Sequence, residues 1–104
     1  MASSREYMDY ILEQLSGLEG VSVRSMMGEY ILYCQGKAVG GVYDDRLLIK
    51  PTAAALALMS GAPRELPYPG AKELLLVERV DDGAFLRALL PAVAAELPEP
   101  GKKR

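Results

Sequence analysis

A chain of 104 residues carrying 12 basic and 14 acidic side chains, a net charge of −2 and no histidine has the size of one domain and the composition of a globular one. One cysteine and no imidazole exclude histidine-based triads and Cys/His zinc sites, and a lone thiol closes no intrachain disulfide. The acidic balance argues against a broad cationic face for nucleic acid.

Met1-Ala2-Ser3-Ser4 leads into a polar and apolar alternation without the basic start and apolar run of a secretory signal, and no segment approaches the roughly 20 apolar residues of a membrane span. The expected location is the cytoplasm, with no membrane association. Ser3 followed by Glu6 has capping-box spacing. Tyr7, Met8, Ile11, Leu12, Leu15 and Leu18 then recur at helical spacing, which predicts a first helix over roughly residues 4–17, stopped by Gly17 or Gly20.

Val21 and Val23 open a strand that Gly28 breaks or bulges before Tyr30. Residues 30–34 are apolar on both faces, as in a central strand or one at an interface. Gln35-Gly36 predicts a two-residue turn into a strand over 37–43, and Asp44-Asp45 a second turn into a strand over 46–50. Gly40-Gly41 falls inside a strand, where glycine marks a bulge, sharp coiling or close backbone approach; no phosphate-loop pattern surrounds it.

Thr52 caps a short alanine-rich helix over 53–60, and Leu66-Pro67-Tyr68-Pro69-Gly70 reads as an extended connector. Residues 74–77 form a buried strand between Glu73 and Glu78. Asp81 or Asp82 caps the last helix, with Phe85, Leu89, Val93 and Leu97 on one side and Leu86 and Leu90 adjoining. Pro91 predicts a bend near Leu90 or two successive helical pieces. Pro98 and Pro100 end the structure, so that residues 1–97 form one domain and 98–104, with Lys102-Lys103-Arg104, a flexible basic tail. The reading is an α+β domain whose antiparallel meander packs with helices in the order α-β-β-β(-β)-α-β-α.

Arg24-Ser25-Met26-Met27-Gly28-Glu29-Tyr30, then Leu32-Tyr33, Gly36, Asp45-Arg46-Leu47 and Lys50, resembles the N-terminal domain of the TfoX (Sxy) family, whose pattern here is Arg-x-Met-Phe-Gly-Gly-Tyr, a glycine-turn hairpin and Asp-x-Leu-x-x-Lys. The resemblance implies a two-layer fold of helices on a curved antiparallel sheet. The best-known relatives are bacterial regulators of natural competence that act with the cyclic-AMP receptor protein and carry a second domain, for which this chain has no length to spare. Met27 stands where the family has Phe and is expected to fill the same core position. Glu29 stands where it has Gly and is expected to set a carboxylate beside Arg24.

Arg24, Glu29, Tyr30, Tyr33, Lys37, Tyr43, Arg46, Lys50 and Tyr68 form the polar and aromatic set from which strand pairing is expected to gather some members on one face as a binding surface. Tyrosines, methionines and arginine suit a protein partner, with a homodimer through strand edges or apolar helix surface as one form of it. The competing reading is direct nucleic-acid binding through Arg24, Lys37, Arg46 and Lys50. Cys34 lacks a histidine base and sits in an apolar strand, while Asp44-Asp45 and Asp81-Asp82 occupy positions that favour Asp for turn and cap reasons. Neither catalysis, a metal nor a cofactor is expected.

Overall fold

The computed structural model describes residues 5–97, so the Ser3 half of the capping box, Pro98, Pro100 and the basic tail lie outside the described residues. Helix α1 spans Arg5–Gln14 and buries Met8 and Ile11. Gly17 follows its last turn at φ +95°, a left-handed conformation that ends a helix without a Cβ clash. Strands β1 (Val21–Met26), β2 (Glu29–Cys34), β3 (Lys37–Val42) and β4 (Leu47–Ile49) come next as an antiparallel meander.

Each meander connection is a two-residue turn with both central residues at positive φ: Met27-Gly28 at +53° and +85°, Gln35-Gly36 at +55° and +80°, Asp44-Asp45 at +55° and +57°. Such turns match the right-handed twist of the strands they join. The first is the break expected at Gly28, made as a hairpin turn, and sets aside the alternative of a bulge. It also overturns the core position expected for Met27, which is 97% exposed at the tip of the hairpin.

Helix α2 (Ala53–Leu58) starts at Thr52, whose hydroxyl accepts from the Ala55 N–H at 3.2 Å. The chain then gives β5 (Arg64–Glu65) and β6 (Leu74–Leu76), and the sheet order is β1-β2-β3-β4-β6-β5, antiparallel throughout. Residues 64 and 65 are an addition to the expected order, too short a strand to leave a pattern. Helix α3 (Gly83–Ala94) is capped by Asp82, which accepts from the Phe85 N–H at 3.1 Å. It runs as one helix through Pro91, which removes two successive pieces from the two expected outcomes and leaves the bend near Leu90 as the other. One missing N–H toward the Arg87 carbonyl is offset by the burial of Leu86, Leu89, Leu90 and Val93, each worth about 1.5–3 kcal/mol.

The helices share one face of the sheet. Met8, Ile11 and Leu15 from the α1 region, Ala55 and Met59 from α2, and Leu86 to Ala94 of α3 close over Leu32, Cys34, Val39, Val42, Leu47, Ile49 and Leu75. A bulge where Leu32 opposes Gly40 but Tyr33 opposes Ala38 leaves Val39 extra and turns it into this core. Leu48 is also fully buried yet stands apart from that cluster, opposite Gly41 and Leu76 on the other face. Among the described residues no helix is long and apolar enough to cross a membrane.

Candidate functional site

Register decides which of the nine polar and aromatic residues meet. Val21, Val23, Leu32 and Cys34 face the helices, so Ser22, Arg24, Met26, Glu29, Ile31 and Tyr33 alternate onto the outer face. Tyr30 pairs with Val42 on the helix side, where the Arg5 guanidinium sits 5.9 Å from its ring centroid. Lys37, opposite buried Cys34, also turns inward and donates from Nζ to the Ala94 carbonyl at 3.1 Å, placing a cation at the C-terminal end of α3. These two therefore stand apart from the other seven.

On the outer face the chain between β5 and β6 comes up against Tyr43 and Arg46 at the β3–β4 turn. Tyr43 lies over Gly41 and is only 8% exposed, and its ring meets that of Tyr68 at 6.3 Å with a 58° tilt. Arg46 clamps the connector in place: Nε donates to the Tyr43 carbonyl at 3.1 Å, Nη1 to Glu65 Oε1 at 2.5 Å and Nη2 to the Leu66 carbonyl at 3.2 Å. Only a guanidinium presents that fork of donors. Glu29 accepts from the Asp44 N–H at 3.1 Å, tying the β1–β2 hairpin to the β3–β4 turn. Arg24 stacks 5.9 Å from the Tyr33 ring centroid; Glu29 thus serves the Asp44 backbone, where a carboxylate beside Arg24 was expected.

Two adjoining depressions share Pro67 and Tyr68. One, of about 410 Å³, is lined by Glu29, Asp44, Arg46, Leu66 and Pro69 besides these. The other, of about 580 Å³, runs along Tyr43, Lys50, Pro51 and Lys72. Burial pushes the Tyr43 phenol above the usual tyrosine range, with Tyr68, Glu29 and Tyr33 adding to the same direction, and burial pulls Lys50 below the usual lysine range. The Cys34 thiol, buried in β2, is also pushed up by desolvation. Raised phenol and thiol values mean neutral groups at neutral pH; Cys34 stays in the core under the helices, and the outer face offers rings, hydrogen bonds and cations for recognition.

Met26, Met27, Leu66 and Tyr68 are exposed large apolar side chains around this end of the sheet, Tyr68 by 58%. Met26 pairs with Glu29, which lines the smaller depression together with Leu66 and Tyr68. Sequence patterning missed Met26, Met27 and Leu66. Reading Met27-Gly28 as a two-residue turn was the signal that would have put both methionines at a surface. A third depression, of about 180 Å³ and lined by Met59, Gly61, Arg79 and Phe85 among others, contains none of the nine residues. No group of three metal-ligating side chains exists among the described residues.

The architecture defines a small two-layer α+β domain with helices on one face of an open antiparallel sheet and a clamped tyrosine connector on the other. The chain belongs to the TfoX N-terminal domain family, whose model matches residues 13–88. It is 34% identical over 105 residues to an uncharacterized 12.7 kDa protein in the trpE 5′ region of Spirochaeta aurantia, with 100% of this chain and 91% of that protein covered. No solved structure matches the chain.

Proposed function

We propose that this chain is a non-catalytic cytoplasmic interaction domain that docks a protein partner on its outer sheet face, as an accessory to transcriptional regulation. The observation that carries the reading is the exposure of Leu66 and Tyr68 in a depression that Glu29 and Arg46 also line, with exposed Met26 and Met27 at the adjoining β1–β2 turn, where Met26 pairs with Glu29. Interfaces concentrate Tyr, Met and Arg over Lys and Glu, and flexible methionines adapt to an apolar partner surface. Membership of the TfoX N-terminal family supports the regulatory setting. Direct nucleic-acid binding is the weaker reading, because two of its four cations are committed elsewhere: Lys37 to the end of α3 and Arg46 to Glu65.

Affinity capture from the native host with the full chain and with Met27→Glu and Tyr68→Ala variants tests the docking reading. Met27→Glu, at an almost fully exposed position, is expected to keep the parent melting temperature, Tyr68→Ala to lower it slightly through loss of the ring contact with Tyr43, and both to lose the captured protein. Capture unchanged in both variants would remove the outer face from the proposal. Titration of labelled single- and double-stranded DNA at two salt concentrations tests the alternative, and saturable, salt-sensitive binding abolished by charge reversal at Arg24 and Lys50 would replace the protein reading.

A further inference from the structure

The two edges of the sheet are built differently. The β5 edge is two residues long and flanked by Pro63 and Pro67, a blunted edge of the kind that prevents strand addition. The β1 edge is a full six-residue strand, Val21–Met26, without proline, lysine or bulge, and β2 is the one strand it pairs with among the described residues. An edge that long and regular normally carries a protective device.

The phase of the β1–β2 ladder fixes which backbone groups of β1 face outward. In a two-residue hairpin the closing pair, here Met26 and Glu29, is the hydrogen-bonded one. The Gln35 N–H bond to the Gly20 carbonyl at 2.7 Å has the same phase, so Gly20, Ser22, Arg24 and Met26 direct their backbone groups at β2. Val21, Val23 and Ser25 therefore direct theirs away from the sheet.

We propose that β1 is a homotypic edge, pairing antiparallel with β1 of a second copy about a two-fold axis through Val23. In that register Val23 opposes Val23 and Val21 opposes Ser25 on either side, and all of these are residues whose N–H and C=O groups face outward. Opposed residues of an antiparallel pair share a face, so the helix layers of both copies stay on one side. Between the bonded pairs, Arg24 meets Ser22 of the second copy, the close non-hydrogen-bonded kind of contact. The strand's single charge thereby opposes a serine, and its own symmetry mate lies on the diagonal and not directly across. A shift that centres the axis on Arg24 opposes the two guanidiniums directly and loses one bonded pair, so charge and hydrogen bonding select the same register. Tyr33, which flanks Ser22 on β2, then lies one strand beyond the incoming Arg24. The occupant is a second copy because one register of the edge on itself both matches the outward backbone groups and avoids setting Arg24 directly against Arg24.

Sedimentation velocity on the full chain from about 1 to 500 µM reads the association directly. The parent is expected to shift from monomer to dimer in this range. Ser22→Arg, an exposed outer-face change, places like charges opposite each other twice and is expected to raise the dissociation constant about tenfold or more. Adding Arg24→Glu to it is expected to restore the dimer, an outcome that no other register produces. Ser25→Pro removes an outward-facing N–H without taking one from the β2 ladder, so it is expected to abolish the dimer while the circular dichroism spectrum stays that of the parent. A parent chain that remains monomeric throughout, or a dimer unmoved by either single variant, would overturn the proposal. Partner capture on the outer-face groove is a separate readout.

Discussion

Gly41 has no side chain because there is no room for one. A Cβ there would fall on the Tyr30 carbonyl oxygen and within 2.8 Å of the Tyr43 ring, so the glycine lets β2 and β3 close up and lets Tyr43 lie flat on the outer face. Gly41→Ala is expected to cost about 1–3 kcal/mol in urea unfolding and to lift Tyr43 away from Tyr68, read as increased tyrosine exposure in solvent-perturbation spectra. Asp82 acts through charge. The Phe85 N–H bond first, and the Arg79 hydrogen bond second, hold its carboxyl below the ordinary 3.8. The folded state thus binds this proton less readily than the unfolded chain. The cap's contribution is complete above 3.8 and disappears as pH falls through the lower folded value. Asp82→Asn retains an oxygen for the Phe85 N–H and is expected to flatten that acid limb in urea midpoints measured from about pH 2 to pH 5.

The β1–β2 hairpin carries a cost that its neighbours reduce with better turn residues. Met27 sits at φ +53° with its side chain in solvent, a conformation that suits Asn or Gly and not an unbranched apolar residue. Met27→Asn is expected to stabilise the fold by roughly 0.5–1 kcal/mol in thermal unfolding while weakening partner capture, the opposite signs expected of a surface residue retained for contact and not for folding. The same hairpin shows where the sequence was legible. Helical spacing, the Thr52 and Asp82 caps, the Gln35-Gly36 and Asp44-Asp45 turns and the close approach at Gly40-Gly41 were all readable because each rests on local chemistry. Face assignment was not, since it depends on parity. One residue gained or lost at Gly28 flips every later side chain, and only the two-residue turn puts Tyr30 and Lys37 under the helices while leaving Tyr33 and Arg24 outside. The Arg46 bonds to Glu65 and Leu66 join segments about 20 residues apart through an unpatterned connector, and no local signal announces such a contact.

At the scale of the molecule, a net charge of −2 sets a limit on what the sheet can bind through phosphate. Of the cations considered for nucleic acid, Arg24 and Lys50 remain on the outer face with Arg46 spent on a carboxylate and Lys37 on a carbonyl of α3. Lys50 has already lost part of its affinity for a proton through burial, so it is the less hydrated of the two. Each neutralised phosphate on a single strand contributes about −0.7 to the slope of log K against log salt. These two cations alone give a slope of about −1.4, and Lys72 beside Lys50 would extend it to about −2, far from the many-contact binding that gives physiological affinity. Fluorescence anisotropy with a labelled oligonucleotide is expected to show weak association at low salt that falls about 25-fold for a tenfold rise in salt. A slope of about −4 or steeper would require several further phosphate contacts, and would move the binding surface away from the clamped tyrosine face to a cluster of cations elsewhere on the chain.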